Sequence, residues 1–200
     1  MSARVPKRTQ IGPGAAPARR VRRRLPTFLE PHETRALVDA AACERDAVIF
    51  LCGAKLGLRV SEIARLRAED VDAECRTVTV VQGKGGKDRR VPVPPSFRER
   101  LAAWIAGREA GWLFPSPRRA DQPLTTRALH KLVTRTAPTA GITSKRVRPH
   151  SLRHTYATDL IGHNVNLFDA KELMGHEKIE TTARYLHVNV DRLRGAVAEL

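Results

Sequence analysis

RTVTVVQGKGGKDRRVPV, residues 76–93, is where the apolar period of this chain changes. Val78 and Val80 alternate with threonines, GKGGK forms a turn, and Arg89–Val93 returns as a second strand, so the stretch reads as a β-hairpin. Pro94 and Pro95 end it, and a helix follows over 96–108.

On the N-terminal side the pattern is helical. LPTFLEPHETRALVDAA places Pro31 in a first helical turn, with Leu37, Ala40 and Ala41 on one face. A buried helix is expected around Asp46–Leu58, closed by Gly57, and a short one over Ser61–Leu66. On the C-terminal side Thr125 or Thr126 can cap a helix whose Leu129, Leu132, Val133 and Thr136 form one face. From Pro149 four helices follow, near 150–162, 167–174, 179–187 and 190–199. The fold class is therefore mainly α with a small antiparallel β-sheet (α+β).

The chain has 200 residues, 42% hydrophobic and 28% charged, with a net charge of +15 and pI near 10.9. That length supports a real core, and that charge points to an acidic partner, nucleic acid before anionic membrane. Residues 1–29 hold eight basic residues and no acid, whereas the remainder has 28 basic against 21 acidic. Residues 1–24, rich in Pro, Gly, Ala and Arg, cannot bury a core and are expected to be a disordered basic tail. Three cysteines without CxxC spacing imply neither a disulfide framework nor a zinc cluster, and suit a reducing, cytoplasmic location. The tail lacks the apolar core of a signal peptide, and the longest apolar run, AVIFLCGA at 47–54, is too short to span a bilayer.

Four short motifs remain: GLRVSE (57–62), GKGGK (83–87), HSLRH (150–154), and the GH of LMGHEKIETTARYLHV (173–188) with its tyrosine. On a helix His150, Arg153 and His154 project from one side, above Ala157 and Ile161, while Leu152, Tyr156 and Leu160 form an apolar stripe. Tyr156 is thus expected in the core. An i, i+4 histidine pair can bind zinc, but no glutamate lies between these two and the intervening arginine repels a dication, so no metal site is expected. Tyr185, the other of the two tyrosines, lies off the stripe of Ile179, Ala183, Leu186 and Val190, on the side of Thr181 and Thr182. Geometry alone leaves it a surface aromatic.

Taken together, GLRVSE, GKGGKDRRVPV, PHSLRHTYAT and LMGHEKIETTARYLHV resemble the catalytic domain of the tyrosine recombinases, the phage-integrase and Xer-type family. The similarity runs from about Leu25 to the C-terminus, giving a domain over 25–200. That family's pattern is an Arg in a GLR-x-SE turn, a Lys in a hairpin, H-x-x-R, then G-H and a Tyr nine residues later. His150, Arg153, His176 and Tyr185 stand at the family's offsets of 3, 23 and 9. Chance would give that on the order of 10⁻³ or less for this composition.

The resemblance implies a site-specific recombinase or integrase that breaks and rejoins DNA through a 3′-phosphotyrosine. A phosphodiester's transition state piles negative charge on its non-bridging oxygens, and Arg59 and Arg153 are the implied clamp. Losing one preorganised donor of this kind costs about 3–4 kcal/mol of barrier. Tyr185 is the implied nucleophile. With a phenol pKa near 10 it is only about 0.1% ionised at neutral pH. It therefore needs a proton acceptor, for which His150 is the candidate. His176 is implied to donate a hydrogen bond to a phosphoryl oxygen. Lys84 is implied as general acid for the departing 5′-oxygen, with Lys87 its rival, and Glu62 orients its neighbours. No metal, nucleotide or other cofactor is required.

Arg127, Lys131 and Arg135 stand four apart on one helix face, a line that suits a phosphate backbone as well as it suits plain solvation. Lys145 and Arg146 join them as DNA-binding candidates. The family's N-terminal core-binding domain is expected to be absent, only the basic tail standing in its place. If the tail's eight charges all met phosphates, the log–log salt slope would be about −7. The C-terminal helix, with Val190, Leu193, Val197 and Leu200 on one face, resembles the segment that family members dock onto a neighbour. The expected partners are double-stranded DNA, further copies in a tetramer docked in trans, and a separate DNA-binding protein. The alternatives are a non-catalytic DNA-binding remnant or accessory protein, or topoisomerase-like relaxation.

Overall fold

The computed structural model describes residues 27–81, 88–108 and 110–183. Its centre is α2 (Glu44–Lys55), in which a continuous run from Asp46 to Phe50 is buried. A helix of this kind needs neighbours on every side. It packs against α1 (Pro31–Asp39), α3 (Val60–Arg65), α4 (Pro95–Ile105) and α6 (Pro149–Gly162). Pro31 occupies the first turn of α1, as its fixed φ favours, and Leu37 and Val38 rather than Ala40 and Ala41 carry that helix's deep burial.

The expected hairpin is present as β1 (Thr77–Val80) and β2 (Arg89–Pro92), antiparallel, with Val78 opposite Val91 and Val80 opposite Arg89. Val78, Val80, Val91 and Val93 are buried on its inner face. Its tip, residues 82–87, lies outside the described residues. A second, smaller hairpin joins β3 (Pro115–Ser116) to β4 (Arg119–Pro123), where the sequence suggested a single sheet. Its strands are short and β4 is exposed almost throughout, so no inward-outward alternation announces it. It leads into α5 (Thr126–Thr139), capped by the Thr125 hydroxyl accepting from the Ala128 N–H, with Leu129, Leu132, Val133 and Thr136 buried as expected.

Two cores meet along α6. Leu152 belongs to the main core with Phe50, Leu56, Val91, Phe97 and Phe114. One turn later Tyr156, Ala157 and Ile161 join a smaller core with Ala170 and Met174 of α7 (Leu167–Met174). The last described helix is α8 (Ile179–Ala183). Among the described residues no helix is long and apolar enough to cross a membrane.

The link from α2 to α3 decides how the site is built. Gly57 has φ +62°, and an ideal Cβ there would lie 2.1 Å from Cδ1 of Tyr156. Position 57 therefore admits only glycine on two counts, backbone conformation and space. Gly57→Ala is expected to cost about 2 kcal/mol or more, a fall in Tm of roughly 4–8 °C at this size. Differential scanning calorimetry checks it, and an unchanged Tm would refute the packing described.

Candidate active site

The site forms where α3, β2, α6 and the end of α7 converge, and it is built around one carboxylate. Arg59 stands at the N-cap of α3, and Glu62, one turn on, accepts the Arg59 backbone N–H at 2.7 Å. The same carboxylate accepts Arg59 Nη1 at 2.7 Å. It also receives both terminal nitrogens of Arg89, at 2.9 and 2.8 Å. Arg153 Nη1 stands 3.9 Å away. Burial alone would favour the neutral acid, but the paired hydrogen bonds and charge of Arg89, with those of Arg59, bring the Glu62 carboxyl down to about 2.

The second organising feature is the C-terminus of α7. A helix leaves its last carbonyls without intrahelical partners. Gly175 adopts the left-handed conformation (φ +61°), and its N–H donates to Glu172 O while that of His176 donates to Lys171 O. This pair of bonds is a Schellman cap. The next three carbonyls are each taken by a different guanidinium. Arg89 Nε donates to Leu173 O at 3.0 Å, Arg153 Nη2 to Met174 O, and Arg59 Nη2 to Gly175 O at 2.5 Å. Arg153 Nη1 also donates to Gly57 O at 2.5 Å, joining this helix end to the α2–α3 link. Three fixed cations at the negative end of a helix dipole are electrostatically well placed.

His176 follows the cap directly. Its Nδ1 lies 2.9 Å from the hydroxyl of Thr182, which is fully buried. Desolvation, then the charges of Arg153, Arg59, Arg89 and His150, push its imidazole down to about 3, so it is neutral across the physiological range. His150 lies at the rim, open to solvent along one side, with its ring edge-on to His154 at 4.6 Å. Partial desolvation first, then Arg153, Arg59 and His130, lower its basicity as well.

Arg59, Glu62, His150, Arg153 and His176 are thus brought together from three separated segments, and Arg89 of β2 joins them from a fourth. Lys84 and Tyr185 lie outside the described residues, as do Leu186 and Val190. His150 and Arg153, which their spacing places on one side of the helix, differ in burial: Arg153 is buried and His150 exposed. Tyr156 is core, 8% exposed, and burial raises its phenol to about 12. On α8 it is Thr182 that is buried, while Ile179 and Ala183 are half-buried, so the apolar stripe assigned to this helix is not its deepest side. Arg127, Lys131 and Arg135 are exposed along α5, and Arg146 is exposed as well. Lys145 instead donates to Phe28 O at 2.9 Å and pairs with Glu33 at 2.7 Å, tying its loop to the start of α1. Among the described residues no group of three or more His, Cys, Asp or Glu is placed to hold a metal.

Arg89 belongs to the site as well, although no motif in the sequence singles it out. It shares strand parity with Val91 and Val93, which are buried, so alternation places it on the inner face of β2. An arginine on a buried strand face is the signal that marks it.

Glu62 and His176 also predict acid sensitivity. Between pH about 6.5 and 3 an unfolded chain binds a proton at His176 that the folded chain refuses, and between about 4.5 and 2 the same holds for Glu62. Each proton removes about 1.4 kcal/mol of stability per pH unit as pH falls through its window. Glu62→Gln should lower stability at pH 7 and flatten the fall below pH 4.5. Denaturant melts across pH 3–7 read both effects, and parallel curves for variant and wild type would refute them.

A model of the phage integrase family matches residues 27–192. Tyrosine recombinase XerA of Thermococcus kodakarensis is 36% identical over 182 residues, covering 88% of this chain and 64% of its own length. The crystal structure of XerA recombinase superposes with a TM-score of 0.76 at 29% identity, covering 92% of this chain and 66% of that one. XerH site-specific recombinase, bound to a palindromic difH substrate in a post-cleavage complex, gives a TM-score of 0.71 at 25% identity, covering 88% and 53%. The chain thus spans a little under two thirds of the curated relative it matches. The match covers the convergence of α3, β2, α6 and α7 on one carboxylate and one helix end, and this chain belongs to the phage integrase family, with the fold of a tyrosine-recombinase catalytic domain.

Proposed function

We propose that this chain is the catalytic part of a site-specific DNA recombinase that breaks and rejoins strands through Tyr185. The observation that carries the proposal is the convergence of three guanidiniums, one carboxylate and two neutralised imidazoles at the end of α7. A site with that excess of fixed positive charge suits a phosphodiester, whose transition state gathers charge on its non-bridging oxygens. Arg59, its side chain 26% exposed, meets those oxygens, and Arg153, 3% exposed beneath it, adds charge at short range.

In the proposed reaction the Tyr185 oxygen attacks phosphorus and its proton passes to His150. The P–O5′ bond breaks, and Lys84 protonates the departing oxygen. The products are a 3′-phosphotyrosine and a free 5′-hydroxyl, and attack by a 5′-hydroxyl from another strand reverses the steps and reseals. His150 suits the role of base because its lowered basicity leaves it neutral at pH 7. In the tautomer whose Nδ1 accepts from the Thr182 hydroxyl, the neutral His176 ring carries its proton on Nε2, and that tautomer is the one assigned to it as a hydrogen-bond donor to a phosphoryl oxygen. In sequence Tyr185 is three residues after Thr182 and two after Ala183, the last described residue.

The partner is double-stranded DNA, with Arg127, Lys131, Arg135 and Arg146 as backbone contacts, and that substrate implies a cytoplasmic site of action. Assembly is proposed as a tetramer on DNA through the amphipathic segment carrying Val190, Leu193, Val197 and Leu200.

A duplex nicked near the scissile phosphate, which loses its leaving strand and traps the adduct, tests the proposal. Wild type should give a DNA-linked band on a denaturing gel, Tyr185→Phe none, and Tyr156→Phe a near-normal yield. A band that survives Tyr185→Phe, or none on any duplex despite salt-sensitive binding, would sink it. The pH profile is a second test. Wild-type cleavage should rise through an apparent pKa below 6.5 and be level by pH 7. His150→Gln should erase that limb and slow cleavage by about 10²–10⁴-fold. An unaltered limb would assign the base elsewhere.

A further inference from the structure

Arg89 contributes charge to the site but touches no reacting atom in the chemistry above, and it is engaged on both sides of its guanidinium. Its Nε holds Leu173 O at the end of α7, and its two terminal nitrogens grip both oxygens of Glu62 on α3. Its side chain is only 9% exposed. The group also lies over the backbone just before His176. An ideal Cβ on Gly175 would stand 2.9 Å from Arg89 Nη1, 3.1 Å from Cζ and 3.2 Å from Cδ. Glycine at 175 is therefore required by the left-handed turn and again by the guanidinium packed over it.

We propose that Arg89 is a positioning residue: it is the strut that fixes the C-terminus of α7, and with it His176, against the α3 turn that presents Arg59. Three guanidiniums cap three successive carbonyls, but they are not equivalent. Under the functional reading above, on which the rate part of this inference rests, Arg59 and Arg153 turn donors toward a phosphate. Arg89 has no such call on it and keeps its donors within the protein. When the other two arginines engage substrate, Arg89 is the guanidinium still holding Leu173 O and Glu62.

The geometry also requires arginine rather than any cation. Leu173 O and the Glu62 carboxylate lie on different edges of a planar fork, and a lysine ammonium is a point charge that cannot bridge them in the same way. Arg89→Lys therefore keeps the charge and removes the strut, separating position from electrostatics. The charged and titratable groups acting on His176 are Arg153, Arg59, Arg89 and His150, so a change in its titration can be traced.

Arg89→Lys and Arg89→Gln are compared with wild type in the full chain. Four quantities are read: thermal unfolding, affinity for an intact duplex, the His176 imidazole resonance and its titration by NMR without DNA, and the single-turnover adduct rate at saturating nicked duplex. Arg89→Lys is expected to stay folded, to bind duplex within about threefold of wild type, and to shift the His176 resonance. Its saturating adduct rate should fall on the order of 10²-fold, with the half-saturating concentration unchanged. In Arg89→Gln the His176 titration moves to higher pH. A folded Arg89→Lys with the wild-type rate and an unshifted His176 would overturn the inference, as would a lowered Tm with His176 unmoved. Should the single variants fail to fold, Glu62→Gln/Arg89→Gln removes the stranded carboxylate, and an unshifted His176 there overturns it equally. If wild type itself yields no adduct, the functional reading fails, while the His176 measurements still decide whether Arg89 positions that ring.

Discussion

Glu62 carries the electrostatic burden of this fold. Its carboxylate lies almost out of solvent and neutralises Arg59 and Arg89 directly, with Arg153 at 3.9 Å. Guanidiniums stay charged at any ordinary pH, so burying them without such a partner would be costly. One carboxylate does not balance three cations. The rest is offset by dipoles, the carbonyls of Gly57, Leu173, Met174 and Gly175, which accept from the same groups. The site is thus held at an excess of positive charge, and that excess is tolerated because Arg89 and Arg153 donate to the Glu62 carboxylate or to these carbonyls.

This arrangement explains why the chain comes together where it does. The end of α7 cannot dock without donors for its carbonyls, and the donors come from α3, β2 and α6, which are far apart in sequence. Each arginine therefore makes a tertiary contact as well as contributing charge. Docking α7 also completes the smaller core, where Ala170 and Met174 meet Tyr156, Ala157 and Ile161. Apolar burial supplies the drive toward contact, and the three hydrogen bonds fix the register to a single residue, so that His176 emerges immediately beyond them.

Local pattern carried the parts of this structure that depend on period and capping. The hairpin, the Thr125 cap, the buried face of α5 and the core position of Tyr156 are all set by neighbours within a turn or a strand. What local pattern could not carry is partner choice. Arg153 and His150 are three residues apart on one helix, yet one is interior and the other at the rim, because α7 supplies carbonyls on one side only. Thr182 carries no signal of its own in sequence, yet its hydroxyl lies against His176 Nδ1. Lys145 has the look of a free surface cation in sequence and is engaged by Glu33 and Phe28 O, more than a hundred residues earlier. Arg89 was legible through its parity with Val91 and Val93, but its partners were not.

The two kinds of basic side chain in the site, guanidinium and imidazole, divide its labour by pKa. Arginine cannot lose its proton near neutrality, so Arg59, Arg89 and Arg153 set a constant field. That same field, added to desolvation, is what makes protonation of His150 and His176 unfavourable. The consequence is coupled: a stronger clamp for an anionic oxygen makes a more reliably neutral imidazole beside it, ready to accept a proton or to donate one hydrogen bond. An anion entering the site would work against that field and make both rings easier to protonate. A base that gains basicity as the phosphate arrives takes up the proton of an attacking hydroxyl more readily in the complex than in the free protein. The Glu62 carboxylate sets the balance, since without it the field would be larger and the buried arginines harder to hold in place.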